Sequence, residues 1–149
     1  MRIGMTMFAF VVALLVACAT QPKECVDGNC IDGKGKAKYN SGDHYVGEFK
    51  GTQRGGQGEY NWKTGDLYKG AWKDGKRAGS GEYKYSVGDV YKGDFNNDNR
   101  HGKGTYTWKS GEKYEGEWKD GKMDGAGTYT APDGTKRTGK FEKGRYIGQ

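Results

Sequence analysis

From residue 42 onward, aromatic and glycine positions alternate with charged ones at a period of two. Tyr45, Gly47 and Phe49 fall on one side of the alternation, as do Tyr68, Gly70 and Trp72, then Tyr91, Gly93 and Phe95, then Tyr114, Gly116 and Trp118. The other side holds Lys69, Lys73, Lys92, Asp94, Glu115 and Glu117. A second alternation follows each of the first three: Gly58, Tyr60, Trp62, then Gly81, Tyr83, Tyr85, then Gly104, Tyr106, Trp108. Successive side chains of a strand point to opposite faces, so the pattern predicts strands with one aromatic and one charged face. Glycine inside a strand ordinarily weakens it. Its recurrence between rings of one face predicts that a neighbouring ring lies flat on the bared backbone.

The pattern is periodic. Gly42, Gly65, Gly88, Gly111 and Gly134 stand 23 residues apart, and repetition at such a period marks a stacked array whose single units cannot bury their own apolar faces. The register divides the chain into a half repeat at 33–41, full repeats at 42–64, 65–87, 88–110 and 111–133, and a partial repeat at 134–149. Ala37 takes a tyrosine position in the first of these; Arg137 takes one in the last, which is expected to lack a second strand. The junctions at Ser41-Gly42, Thr64-Gly65 and their equivalents predict tight hairpin turns, and stretches such as Lys73–Gly79 predict longer connections inside a unit. The expected fold is all-β: an elongated single-layer antiparallel meander of about ten strands, on the order of 45 Å long at ~4.8 Å per strand.

Composition supports this and adds an N-terminal segment of another kind. After residue 17 there are seven Leu, Ile or Val residues against eighteen aromatics, which excludes a layered aliphatic core. Residues 1–17 carry Arg2 and then an apolar run from Ile3 to Ala17. That reads as a secretory signal, being shorter than the ~20 residues of a membrane span. Leu15-Val16-Ala17-Cys18 resembles a bacterial lipobox, which would make Cys18 the lipidated first residue of an exported, membrane-anchored cell-envelope protein. By the same analogy Ala19 points to the outer membrane where the cell has one. Ordinary cleavage after Ala19 is the other reading. Residues 18–32 read as a linker, with Cys25 and Cys30 left as a pair suited to a local disulfide, and residues 33–149 as the repeat domain.

The unit Gly-Asp-x-Tyr-x-Gly-Glu-Trp-x-x-Gly-x-x-x-Gly-x-Gly-x-Tyr is similar to the MORN repeat (membrane occupation and recognition nexus), most closely in GEKYEGEWKDGKMDGAGTY at 111–129. The resemblance covers about residues 33–148 and departs from the pattern at Ala37, Ala71 and Arg137. It implies an elongated single-sheet array of hairpins without catalysis of its own, used for protein contacts and for membrane phospholipid. The lipid-kinase activity that some such proteins carry in a separate domain is not implied.

Candidate chemistry is sparse. His44 falls on the charged face and His101 in an expected turn, at non-equivalent repeat positions. Asp43, Asp66, Asp89 and Glu112 recur after the repeat glycine and read as turn-stabilising residues rather than metal ligands. No nucleophile motif or phosphate loop stands out, so neither catalysis nor a cofactor or metal is expected. A single sheet has nothing to cover its second side, so the aromatic face is the candidate binding surface. Tyr45, Trp62, Tyr68, Trp72, Tyr91, Trp108, Tyr114 and Trp118 are its expected exposed rings. The expected partner is an unidentified protein; direct binding of anionic phospholipid or envelope glycan is the alternative. Export argues against nucleic acid. Free edges at Gly35–Asn40 and Thr135–Phe141 are expected to pair between copies in a homo-oligomer.

Overall fold

The computed structural model describes residues 24–149, which form strands and turns without a helix. The first arms of the units are β3 (His44–Lys50), β5 (Leu67–Lys73), β7 (Val90–Asn96), β9 (Lys113–Lys119) and β11 (Lys136–Glu142). The second arms are β4 (Gln53–Asn61), β6 (Lys76–Lys84), β8 (Asn99–Thr107), β10 (Lys122–Thr130) and the short β12 (Arg145–Gly148). Ahead of them stand β1 (Glu24–Gly28) and β2 (Gly33–Lys38). All twelve form one sheet in strict chain order, from β1 to β12. The meander therefore has two strands more than the repeat register implies, one at each end. Part of the expected linker is β1, and the last unit does have a second strand.

The glycines explain why rings can pack on a lone sheet. Paired across successive strands, Gly35, Gly47, Gly58, Gly70, Gly81, Gly93, Gly104, Gly116, Gly127 and Gly139 form an unbroken row. With no Cβ on the aromatic face, the row is a trough in the backbone. Tyr45, Tyr68, Tyr91 and Tyr114 lie in it, each fully buried. Tyr68 shows how: its ring covers Gly81 and its hydroxyl donates to the Ala71 carbonyl at 2.9 Å. Ala71 stands opposite a β-bulge, where Ala78, Gly79 and Ser80 of β6 face it alone. A bulge disrupts the local ladder, so it leaves the tyrosine an acceptor. The same bond recurs from Tyr45 to Glu48, Tyr91 to Asp94 and Tyr114 to Glu117, at 2.9, 2.9 and 3.1 Å.

Beyond the repeats, other side chains fill the trough. At Gly35 the occupant is the Cys30 sulfur, bonded to Cys25 and bringing β1 onto β2. At Gly139 it is Tyr146, whose hydroxyl donates to the Thr138 carbonyl at 3.1 Å.

Turn assignments are the reverse of those expected. The tight two-residue turns lie inside each unit, at Gly51-Thr52, Asp74-Gly75, Asn97-Asp98, Asp120-Gly121 and Lys143-Gly144, and both residues of each have positive φ. That pair of dihedrals matches the right-handed strand twist, which is why such turns close hairpins. The repeat glycines instead sit in five-residue loops such as Trp62–Asp66, closed by Gly65 N–H donating to the Trp62 carbonyl at 2.9 Å.

The free edges also differ from expectation. The Gly35–Lys38 backbone pairs with β1. On β11, Lys140–Glu142 pairs with β12, while Lys136–Gly139 has no strand partner on that side among the described residues.

Candidate functional site

The structure divides the expected binding rings into two sets. Tyr45, Tyr68, Trp72, Tyr91, Tyr114 and Trp118 are 0–5% exposed, so they are core rather than exposed anchors. Trp72 and Trp118 also donate their ring N–H to the Gly58 and Gly104 carbonyls of the preceding unit, at 3.2 and 3.1 Å. Only Trp62 and Trp108 are half-buried. With Tyr85 they occupy equivalent positions 23 residues apart, at the loop ends of β4, β6 and β8. The tilted rings of the second arms join them into a ladder. Successive centroids run from Tyr60 to Trp62 at 4.5 Å, on to Tyr83 at 5.2 Å and Tyr85 at 4.4 Å, then to Tyr106 at 5.7 Å and Trp108 at 4.6 Å. Tyr129 ends it, 6.0 Å beyond Trp108.

An arginine row covers the rings that would otherwise be open. The guanidinium of Arg54 lies 4.6 Å from the Trp72 ring and 4.8 Å from Tyr60. Arg77 lies 5.0 Å from Tyr83, and Arg100 4.5 Å from Trp118. Each guanidinium also donates to a carbonyl in the next unit's tight turn: Arg54 to Gly75 at 2.6 Å, Arg77 to Asp98 at 2.8 Å and Arg100 to Gly121 at 2.7 Å. Stacking on a ring and bonding to a turn at once, each arginine fastens its unit to the following one. The signal was present in the sequence, since Arg54, Arg77 and Arg100 are themselves 23 residues apart. Met123 and Tyr146 continue that register in place of arginine, and in the last unit Arg137, from the other arm, lies 5.3 Å from the Tyr146 ring.

The recurring carboxylates do stabilise turns. Asp66 accepts the Tyr83 hydroxyl at 2.9 Å and the Ser86 N–H at 2.7 Å, and Asp43 and Asp89 do the same with Tyr60 and Lys63, and with Tyr106 and Lys109. Burial alone would raise the Asp66 carboxyl, but these donors outweigh it and hold the group below its ordinary range. The fourth unit breaks the scheme. Glu112 bonds to Ser110 instead, and the residue whose N–H would complete the loop is Pro132, which has none. For a carboxyl whose folded pKa is depressed, the stabilisation is present above the usual carboxylate value of ~3.9 and lost as pH falls through the lower folded value. Tyr83→Phe should therefore cost about 1 kcal/mol at neutral pH and flatten the acid limb of a urea-midpoint curve. An unchanged acid limb would detach the carboxylate pairs from stability.

Neither histidine joins a cluster. His44 is exposed on the charged face; His101 lies within β8, not in a turn, with Nδ1 4.0 Å from the Asp120 carboxylate. Among the described residues no group of three His, Cys, Asp or Glu could hold a metal ion. The charged face carries a wide, open depression over β8–β11. Lys103, Glu115, Glu117, Thr128, Thr138 and Lys140 line it, and its charges are mixed.

Period, glycine row and ring positions together specify a repeat family. The MORN repeat matches four consecutive stretches, residues 45–67, 68–90, 91–113 and 114–136, more than half of the chain. The protein belongs to the MORN-repeat family. No curated protein matches the sequence. In MORN terms each matched stretch opens on a trough tyrosine, Tyr45, Tyr68, Tyr91 or Tyr114, so the family unit begins at the ring that the structure buries most deeply. An open sheet of MORN repeats is a repeat scaffold, and in its ladder Trp62, Tyr85, Trp108 and Tyr129 are only partly buried while Tyr60, Tyr83 and Tyr106 belong to the core.

Proposed function

We propose that the protein is a non-catalytic scaffold that holds a protein partner along the ladder Trp62–Tyr85–Trp108, and that lipidated Cys18 tethers it to a membrane of the cell envelope. One observation supports this most directly: of the rings first expected to bind, only Trp62 and Trp108 remain half-buried, and Tyr85 is half-buried at the equivalent position of the unit between them. Aromatic rings in such rows are favoured interface anchors. The lipobox reading of Cys18 lies outside the described residues and rests on the sequence.

The test places a photo-crosslinking residue at Tyr85, and as a control at Lys92 on the charged face, in the full-length protein within its cell. A discrete protein adduct from position 85 alone, lost in Trp62→Ala/Trp108→Ala with the far-UV spectrum unchanged, is the expected result. Adducts only to lipid or to a glycan would replace the protein partner by the corresponding alternative. Equal labelling from both faces would remove the ladder as the docking surface. Separately, Cys18→Ser should release the protein from the membrane fraction. Retention there would end the lipid-tether reading.

A further inference from the structure

The two ends of the sheet are complementary to each other. Strands alternate in direction from β1 to β12, so β1 and β12 run antiparallel. A second copy set end to end with the first would thus present its β1 to β12 in the orientation that every internal pair already has. Among the described residues no long loop covers either edge. The outer backbone of Lys136–Gly139 in β11 has no strand partner among the described residues, and β12 is four residues long where the other second arms are nine. Unpaired backbone of this kind is a template for another strand.

Side chains at the two edges agree with that pairing. Tyr146 pairs opposite Phe141 on the aromatic face, so alternation puts Arg145, opposite Glu142, on the charged face. On β1, Glu24 and Asp27 pair opposite Lys38 and Lys36, which belong to that same charged face. From Glu24 to Asp32 there are three carboxylates and no basic residue; from Lys136 to Gln149 there are five basic residues and one acid. Two of the three carboxylates already have a partner within the chain, Asp27 with Lys36 at 3.3 Å and Asp32 with the Gly51 N–H at 2.9 Å. The Asp27–Lys36 pair is more than half exposed on both sides, so a second cation can approach it. Five large hydrophobic residues are exposed among the described residues, and two stand on the edge strands: Val26 on β1 and Ile147 on β12.

We propose that the protein associates head to tail with copies of itself, β1 of one copy adding to β12 of the next and extending the meander. This does not depend on what the aromatic ladder holds. Such a contact is heterologous, so it does not stop at two copies unless a ring closes.

Sedimentation velocity on residues 19–149, which contain all twelve described strands, gives the test. At low salt the mean mass should climb with concentration beyond that of a dimer, and should fall at ~1 M salt, where screening acts within about 3 Å. Arg145→Glu, and separately Glu24→Lys/Asp27→Lys, should each weaken association on the order of tenfold. Mixing the two variants should restore growth in alternating copies, because the two reversed edges match each other and the two unaltered edges still match as in the parent chain. The triple variant, with both edges reversed in one chain, should regain growth, which also shows that the substitutions do not unfold the sheet. A monomer at every soluble concentration, a species that ends at a dimer, or growth indifferent to both edges would each overturn the proposal.

Discussion

Gly81→Ala should lower the stability of the sheet by about 3 kcal/mol, the upper end of the range for overpacking a filled core, read as a fall in the urea midpoint. The backbone gives no reason for a loss. Gly81 lies outside the positive-φ set, and alanine at such a glycine ordinarily gains about 0.4–1 kcal/mol by restricting the unfolded chain. The ring decides the sign. A Cβ on Gly81 would stand 2.5 Å from the Tyr68 hydroxyl oxygen and 2.6 Å from two of its ring carbons. Nor can the ring retreat, since the edges of Trp72 and Phe95 hold it with centroids at 5.1 and 5.0 Å. Lifting it would break the bond to Ala71 and uncover the trough. Gly121→Ala provides the contrast. Its Cβ would meet nothing within 4 Å, but its φ of 82° costs a side chain ~1–2 kcal/mol. Stability in a repeat array is a sum of unit and interface contributions, so the central Gly81 lesion should also weaken the coupling between the two halves. If Gly81→Ala proves neutral while Gly121→Ala destabilises, the ring-in-trough account fails.

The same geometry shows what could be read from the sequence and what could not. Alternation assigned the rings and glycines to one face, and the 23-residue period recurs in the sheet's row of paired glycines. Depth on a face is a separate matter. Tyr68 and Trp62 share a face, yet Tyr68 sits over paired glycines and Trp62 at a strand end beside a loop. Only the first has a trough to sink into. The expectation that a lone sheet leaves its rings open overlooked a long side chain with an apolar stem and a planar head. Arg54, Arg77 and Arg100 supply it, and their spacing was legible had it been sought. The end plugs were harder to find. Cys30 lies outside the repeat register and Tyr146 comes from the opposite arm, so no alignment of the units points to either. Turn placement was misjudged for a simpler reason. Asp74-Gly75 needed only two positive-φ residues, whereas the glycine that recurs in each unit sits in the longer loop.

Alkali should unfold the protein in one cooperative step not far above pH ~10, the usual value of a tyrosine hydroxyl. Burial pushes Tyr68 and Tyr114 up to about 12, with the neighbouring guanidinium of Arg77 opposing the shift at Tyr68 without overcoming it. Burial pushes Tyr45, Tyr60, Tyr83, Tyr91 and Tyr106 higher still, and the Asp43, Asp66 and Asp89 carboxylates add to it at Tyr60, Tyr83 and Tyr106. For a group whose folded pKa is raised, the stabilisation is complete below the unfolded value and is lost as pH rises through the folded one. The unfolded chain releases its tyrosine protons from pH ~10, while the folded chain retains them. Each such tyrosine then subtracts up to ~1.4 kcal/mol per pH unit. Seven act together, and a total stability of ~5–15 kcal/mol does not survive that slope for long. The measurement is the phenolate absorbance followed alongside the far-UV spectrum from neutral to strongly alkaline pH. Rings in the trough predict that the two change together, with most tyrosines ionising only as the sheet is lost. Gradual ionisation centred near pH ~10 with the sheet intact would mean that water reaches the hydroxyls, and that the trough is not the closed core described for Tyr45, Tyr68, Tyr91 and Tyr114.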